Sequence, residues 1–108
     1  MPTVKLSPLG GAAAQFFTDA GVILTGGKLY TYGAGGTTLQ ESYTTTAGSV
    51  AHTNPIILDS YGRVPSWGEI WLNDAQSYKM VLKTSLDVTI GTYDNINGIT
   101  TTIGNTTV

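Results

Sequence analysis

The stretch of sequence that decides the fold is Asn-Pro-Ile-Ile-Leu-Asp-Ser-Tyr-Gly-Arg-Val-Pro, residues 54–65. Proline favours extended geometry at the residue before it and cannot donate a backbone hydrogen bond, so the apolar run 56–58 is predicted to form a short buried strand. Asp59 and Gly62 bracket a turn, where aspartate bonds nearby backbone N–H groups and glycine takes a positive φ. The stretch therefore predicts a strand, a turn and a second extended segment.

Similar strand signals recur at intervals of roughly ten residues along the chain, separated by glycine-, asparagine- and aspartate-rich breaks. The strongest signal is 28–32, which is rich in tyrosine and threonine and follows a break at Gly27. The other signals cover residues 39–43, 70–72, 77–83 and 88–93. Together with fourteen glycines, this spacing predicts an all-β fold: a small two-sheet, antiparallel, sandwich-like domain.

Alternation along two of these segments predicts which side chains are buried, because successive strand residues point to opposite faces. In 28–32, Leu29 and Thr31 share one face, and Tyr30 and Tyr32 share the other. The segment 77–83 likewise separates an apolar face from a wetter, lysine-bearing face: Tyr78, Met80 and Leu82 against Lys79, Val81 and Lys83.

The change in composition along the chain predicts three regions. Residues 1–15 are expected to form an extended N-terminal arm, residues 16–95 a β-rich domain, and residues 96–108 a C-terminal neck or linker. The uncharged composition of the last region favours a disordered tail or linker. Three isoleucines favour instead a neck where several chains converge, because they repeat at the spacing of a coiled-coil seam: Ile96, Ile99 and Ile103.

Composition narrows the classes of function. Charged residues are 11% of the chain, the formal net charge is −2, and five Lys and Arg are too few to neutralise many phosphates, which argues against nucleic-acid binding. No apolar run approaches the roughly 18 residues of a membrane span, which argues against a membrane protein. Zero cysteines exclude disulfides and thiolate metal sites.

The residue types that could carry catalysis form no recognisable constellation. His52, the single histidine, has no nucleophile motif around it and is predicted to lie in a surface loop. The carboxylates fall mostly at predicted turns, and none has calcium-loop spacing. The glycine run 33–36 lacks the Lys-Ser/Thr of a phosphate-binding loop and predicts a hairpin loop instead. The sequence therefore predicts no enzymatic activity, no cofactor and no metal.

The aromatic residues leave two interpretations open. Tyrosine and tryptophan dominate the energetics of protein interfaces, so the interface candidates are Tyr30, Tyr32, Trp67 and Trp71. Trp67, Trp71 and the six tyrosines, if exposed, could instead stack on sugar rings or bases through their flat aromatic faces. A carbohydrate-binding module is therefore the alternative function.

Four segments carry a resemblance to a known family. They are Gly-Gly-Lys-Leu-Tyr-Thr-Tyr at 26–32, Asn-Pro-Ile-Ile-Leu-Asp-Ser-Tyr-Gly-Arg-Val at 54–64, Glu-Ile-Trp-Leu at 69–72 and Tyr-Lys-Met-Val-Leu at 78–82. In this order and spacing they resemble the N-terminal virion-anchoring, or head-binding, domain of bacteriophage tailspike and tail fibre proteins. The resemblance covers roughly residues 16–95.

The resemblance implies a β-rich domain that intertwines in a homotrimer and fixes a fibre or spike to the phage tail or portal vertex, in support of host attachment. It implies no enzymatic activity in this domain. The implied partners are copies of the chain itself and phage tail, adaptor or portal proteins, with no nucleic acid and no membrane. The implied location is the virion, after synthesis in the cytoplasm of the bacterial host.

Overall fold

Seven β-strands form the regular structure of residues 3–65 and 68–99, which are the residues that the computed structural model describes. Within these residues there is no helix, and hence none long and apolar enough to cross a membrane. The strands are β1 (Val4–Leu6), β2 (Lys28–Gly33), β3 (Ser42–Tyr43), β4 (Ile56–Ile57), β5 (Trp71–Asn73), β6 (Tyr78–Lys83) and β7 (Thr89–Ile96).

The strands form two antiparallel sheets, which confirms the predicted all-β class. One sheet has three strands in the order β1-β5-β3, and the other has four in the order β4-β2-β6-β7. The longest central pairing joins β2 to β6, from Lys28 opposite Lys83 to Gly33 opposite Tyr78. The strand signals at 77–83 and 88–93 correspond to β6 and β7, which pair with each other in antiparallel fashion.

Strand alternation decides the burial of the two central strands. In β2, Leu29 and Thr31 are buried while Tyr30 and Tyr32 remain partly exposed, as the period of two predicts. In β6 the predicted inner face is buried, but Val81 on the lysine-bearing face is buried as well. Val81 lies between Tyr30 and Thr92 on the two neighbouring strands, and these neighbours shield it from water on both sides.

One hydrophobic core joins the two sheets. Leu29 and Met80 of the four-stranded sheet and Leu72 of the three-stranded sheet belong to the same buried cluster. The buried hydroxyl of Tyr78 crosses between the sheets: it donates to the carbonyl of Glu41 and accepts the Asn73 N–H at 3.0 Å. Burial raises the pKa of Tyr78, so the hydroxyl keeps its proton for the first of these bonds at neutral pH.

The side chain of Asn54 fills a gap in the edge of β2. Its carboxamide oxygen accepts the Thr31 N–H at 3.0 Å, and its NH2 donates to the Thr31 carbonyl at 2.7 Å. The same NH2 also reaches the Gln40 carbonyl at 3.2 Å. A side chain thus takes the place of a strand residue between β4 and the segment that leads to β3.

Two predicted segments differ from the structure in extent. Of residues 39–43, only Ser42–Tyr43 forms a strand, and Leu39 makes a single bridge to Tyr32 in the other sheet. Within residues 1–15, which are expected to be an arm, Val4–Leu6 pairs with β5 as part of the three-stranded sheet. Val4 and Ser7 are buried, so this part of the N-terminal segment is packed onto the domain.

The turn after β4 has the geometry expected of its residues. The Asp59 carboxylate accepts the N–H groups of Tyr61 and Arg63 at 2.9 and 3.0 Å, and the Gly62 N–H donates to the Asp59 carbonyl. Gly62 has a φ of +70°. Gly27 closes a neighbouring turn, where its N–H donates to the Leu24 carbonyl at 3.1 Å.

Replacing Gly62 by alanine should destabilise the protein more than replacing Gly35 by alanine. Both glycines have a positive φ, so each variant pays a backbone strain of about 1 kcal/mol. A Cβ at Gly62 would also lie 2.7 Å from the Phe16 carbonyl oxygen, whereas nothing lies within 4 Å of a Cβ at Gly35. Urea unfolding should show an additional loss of about 1–3 kcal/mol for Gly62→Ala. Equal losses would contradict the close packing of this turn.

Candidate interaction surfaces

The outer surface of the four-stranded sheet carries a row of tyrosines and lysines, here called the tyrosine–lysine face. The rings of Tyr30 and Tyr32 stack in parallel, with centroids 5.8 Å apart and planes 2° apart. The ammonium groups of Lys83 and Lys79 lie over these rings, at 4.9 Å from the Tyr30 centroid and 5.6 Å from the Tyr32 centroid. The face consists of Lys28, Tyr30, Tyr32, Lys79, Val81 and Lys83.

Asp87 orders one end of this face from the turn between β6 and β7. Its carboxylate accepts the Lys28 ammonium at 3.1 Å and the Tyr30 hydroxyl at 3.0 Å. These donors, Lys28 first, lower the pKa of Asp87, while the same carboxylate raises the pKa of Tyr30. At neutral pH the pair is therefore a carboxylate and a protonated phenol, which is the combination that the hydrogen bond requires.

Asp94 orders the opposite end of the face. Its carboxylate accepts the N–H of Gly35 at 3.0 Å and that of Asn95 at 2.7 Å, and these bonds lower the pKa of Asp94. The first bond ties the glycine-rich loop after β2 to β7. The predicted hairpin loop at 33–36 is confirmed, because the Gly33 N–H donates to the Thr38 carbonyl at 2.9 Å across it.

Trp71 lines a groove of about 380 Å³ on the three-stranded sheet. Its other lining residues are Val4, Lys5, Leu6, Thr46 and Ile99. The volume falls in the range of small-molecule sites, and the lining combines a large aromatic side chain with one ammonium group and one hydroxyl. Chemically, such a groove can accept a sugar ring or an apolar side chain of a partner.

The indole of Trp71 is held by Glu69, which is in turn held by His52. The Trp71 Nε1–H donates to the Glu69 carboxylate at 2.9 Å, and His52 Nε2 lies 2.6 Å from the Glu69 carbonyl oxygen. A carbonyl only accepts, so the neutral ring carries its proton on Nε2. Burial lowers the pKa of His52 below its usual value, against the opposing effect of the Glu69 carbonyl.

The prediction that His52 lies in a surface loop is wrong. Only 9% of the residue is exposed, because the backbone of residues 51 and 52 pairs with the outer edge of β3. The His52 N–H donates to the Ser42 carbonyl at 2.8 Å, and Ala51 bridges to Tyr43. The polar residues around His52 in the sequence gave no periodic signal for this pairing.

Three turns at the Lys28 end of β2 expose apolar side chains, and this region is here called the apolar end. The Phe16 N–H donates to the Gly62 carbonyl at 2.8 Å, and the Thr25 hydroxyl donates to the Ser60 carbonyl at 2.9 Å. A Cβ at Gly26 would lie 3.6 Å from Ser85, which brings the turn after β6 to the same place. The exposed members of the apolar end are Phe17, Val22, Ile23, Tyr61, Leu86 and Val88.

The structure places the predicted interface residues on two different sheets. Tyr30 and Tyr32 belong to the tyrosine–lysine face, whereas Trp71 and Ile99 line the groove. Ile96 packs against the core. Trp67 and Ile103 lie outside the described residues.

Sequence reasoning did not single out the lysines of the tyrosine–lysine face as site residues, or the apolar end at all. The lysines that alternate along 77–83 could have indicated the tyrosine–lysine face. The apolar end has no periodic signal in the sequence, because its residues lie in turns that are distant from one another along the chain.

No group of three or more potential metal-ligating side chains occurs within the described part of the chain. No protein-family model matches the sequence, and no curated protein matches it. Three surfaces of the described chain are candidates for binding a partner or ligand: the tyrosine–lysine face, the Trp71 groove and the apolar end.

Acidification should destabilise the protein between pH 6.5 and 5 through His52. A folded-state pKa below the unfolded value of about 6.5 means that the unfolded chain binds the proton first, so stability is complete above this pH and falls below it. The free energy of unfolding should change by no more than about 1.4 kcal/mol per pH unit, because one group takes up the proton. Urea unfolding at pH 7.5, 6.0 and 5.0 measures it.

His52→Gln is the control, because glutamine keeps a neutral N–H donor without titrating. This variant should lose the dependence between pH 6.5 and 5, where the lowered pKa values of Asp87 and Asp94 contribute little. An unchanged slope in His52→Gln would contradict the assignment to His52.

Proposed function

We propose that this protein is a structural component of a bacteriophage tail, in which the domain anchors a trimeric tail fibre or tailspike to the tail or portal vertex. The proposal joins the resemblance of the four sequence segments to one structural observation, the apolar end. It places the protein in the virion, with its own copies and tail, adaptor or portal proteins as partners.

The apolar end supports this proposal because it exposes large apolar side chains to water, and this exposure does not stabilise a monomer. Val22 is 62% exposed and Leu86 is 84% exposed. Covering apolar surface stabilises an assembly by about 25 cal/mol for each Å² removed from water. Exposed apolar side chains concentrated in turns that hydrogen bonds bring together are candidates for an interaction site, and obligate interfaces between subunits are the most apolar class.

The turn that carries the strongest part of the resemblance is also part of the apolar end. Tyr61 is exposed in that turn, while Gly62 next to it is packed against the backbone of residues 16 and 24. The rigid, close-packed base of the turn orients an exposed aromatic side chain toward other copies of the chain. In the proposed trimer the two sheets form a sandwich-like unit.

The proposal predicts a homotrimer at micromolar concentration, measured by light scattering or sedimentation equilibrium. Val22→Asp should dissociate it, because a carboxylate at the apolar end would lose its hydration in the interface. Val50→Asp is the matched control, since Val50 is 59% exposed and follows β3 in the three-stranded sheet. A wild-type protein that stays monomeric would contradict the proposal, as would a trimer that survives Val22→Asp.

A carbohydrate-binding module is the second candidate, and the Trp71 groove is the observation that favours it. Under this function, oligosaccharides should shift the tryptophan fluorescence in a saturable way. Because the chain has two tryptophans, the shift should persist in Trp67→Phe and disappear in Trp71→Phe. A fluorescence that stays constant over a panel of bacterial surface glycans would argue against this candidate and leave the anchor.

A further inference from the structure

Positive charge is concentrated on the tyrosine–lysine face of a chain that is acidic as a whole. The face carries three of the five cationic side chains, Lys28, Lys79 and Lys83. With Asp87 and Asp94 at its rim, it has one net positive charge, and the rest of the chain has three net negative charges. The face is therefore electrostatically opposite to the remainder of the protein.

The two carboxylates at the rim are already engaged and leave two lysines available. Asp87 binds Lys28 and the Tyr30 hydroxyl, and Asp94 binds backbone N–H groups. Within residues 3–65 and 68–99 the one ion pair is Lys28–Asp87, so Lys79 and Lys83 pair with no carboxylate there. Asp87 and Asp94 lie close enough for the charges of Lys83 and Lys79 to lower their pKa values, but neither carboxylate forms an ion pair with these two ammonium groups.

Lys79 and Lys83 are nevertheless held in place. Each ammonium lies over a tyrosine ring, which attracts cations through its electron-rich face. The rings stack on each other and both stand on β2, and the two lysines stand on the neighbouring central strand β6. Groups on rigid strands lose less conformational freedom on binding than groups on loops, so this arrangement is pre-organised.

The spacing of the lysines suits an extended ligand. Lys79 and Lys83 are four residues apart on β6, which separates their Cα atoms by about 13 Å along the strand. Two carboxylates four residues apart on an extended segment have the same separation. A second copy of this face is a poor occupant, because a symmetric contact would place lysines against lysines.

We propose that the tyrosine–lysine face binds an extended acidic segment of a partner protein, with Lys79 and Lys83 each taking one carboxylate. The tyrosine edges between them contact the apolar part of the segment. Carboxylates suit the face better than a nucleic-acid backbone, because the remainder of the chain repels a long polyanion. The proposal does not rest on the anchor function, because the face and the apolar end have no residue in common.

The test uses the full chain and a fluorescein-labelled decaglutamate peptide at an ionic strength of about 0.1 M, with anisotropy as the readout. The wild-type protein should bind the peptide, and the affinity should fall as salt is added. Lys79→Gln and Lys83→Gln should each weaken binding about tenfold, as expected for the loss of a charge-assisted contact. Circular dichroism checks that the variants remain folded.

Arg63→Gln is the matched control, because it removes one positive charge in the turn after β4, where the guanidinium contacts Ala13 and Gln15 and no residue of the face. It should change the affinity by less than about twofold, since exposed charges beyond a Debye length of roughly 10 Å are largely screened. Equal weakening by Arg63→Gln and Lys83→Gln would overturn the assignment to the face. Absence of peptide binding would overturn the proposal, as would tighter binding of a single-stranded oligonucleotide of equal charge.

Discussion

The three hydrogen bonds of the Asn54 side chain are the constraint on which the arrangement of the two sheets depends. β4 and the segment around Gln40 share one edge of β2. The Gln40 N–H donates to the Thr31 carbonyl, but no backbone carbonyl of either segment accepts the Thr31 N–H. Asn54 closes the gap by serving the Thr31 N–H and carbonyl and the Gln40 carbonyl. The Thr31 carbonyl also accepts the Gln40 N–H, and the Gln40 carbonyl also accepts the Thr31 hydroxyl, so the Thr31 N–H is the group that depends on Asn54. A buried peptide group that lacks a partner costs about 1–3 kcal/mol, so this position favours a side chain with an acceptor.

The surfaces of the protein follow from that arrangement. Once β2 is held on both edges, Leu29 and Thr31 point into the core and the two stacked tyrosines point outward. The pairing with β6 then places the lysines beside these rings. On the other sheet, the buried contact of His52 with the Glu69 carbonyl fixes the residue whose carboxylate holds Trp71. Both candidate ligand surfaces thus rest on groups that are themselves buried or hydrogen-bonded.

Sequence patterns predicted the elements whose burial alternates with a period of two, because the alternation of apolar and polar residues is visible in consecutive positions. Strand β2 is of this kind, and so is β6 apart from Val81. The turn from Asp59 to Gly62 was predicted from another local signal, its aspartate and its glycine. The pairing of β1 with β5 could not be predicted, since a three-residue strand carries no periodic signal and its partner lies far along the chain. The burial of His52 depends on the same kind of long-range pairing.

The apolar end and the tyrosine–lysine face would contribute different physical terms to an assembly. Apolar area supplies most of the binding free energy but little directional preference, whereas charges fix orientation and speed encounter without adding much affinity. The proposed virion anchor would need both properties, because it would have to hold permanently and in one orientation. In this chain the two terms come from separate residues on one rigid scaffold. An assembly that uses both could therefore lose its orientation through changes at Lys79 and Lys83 while keeping its apolar contacts.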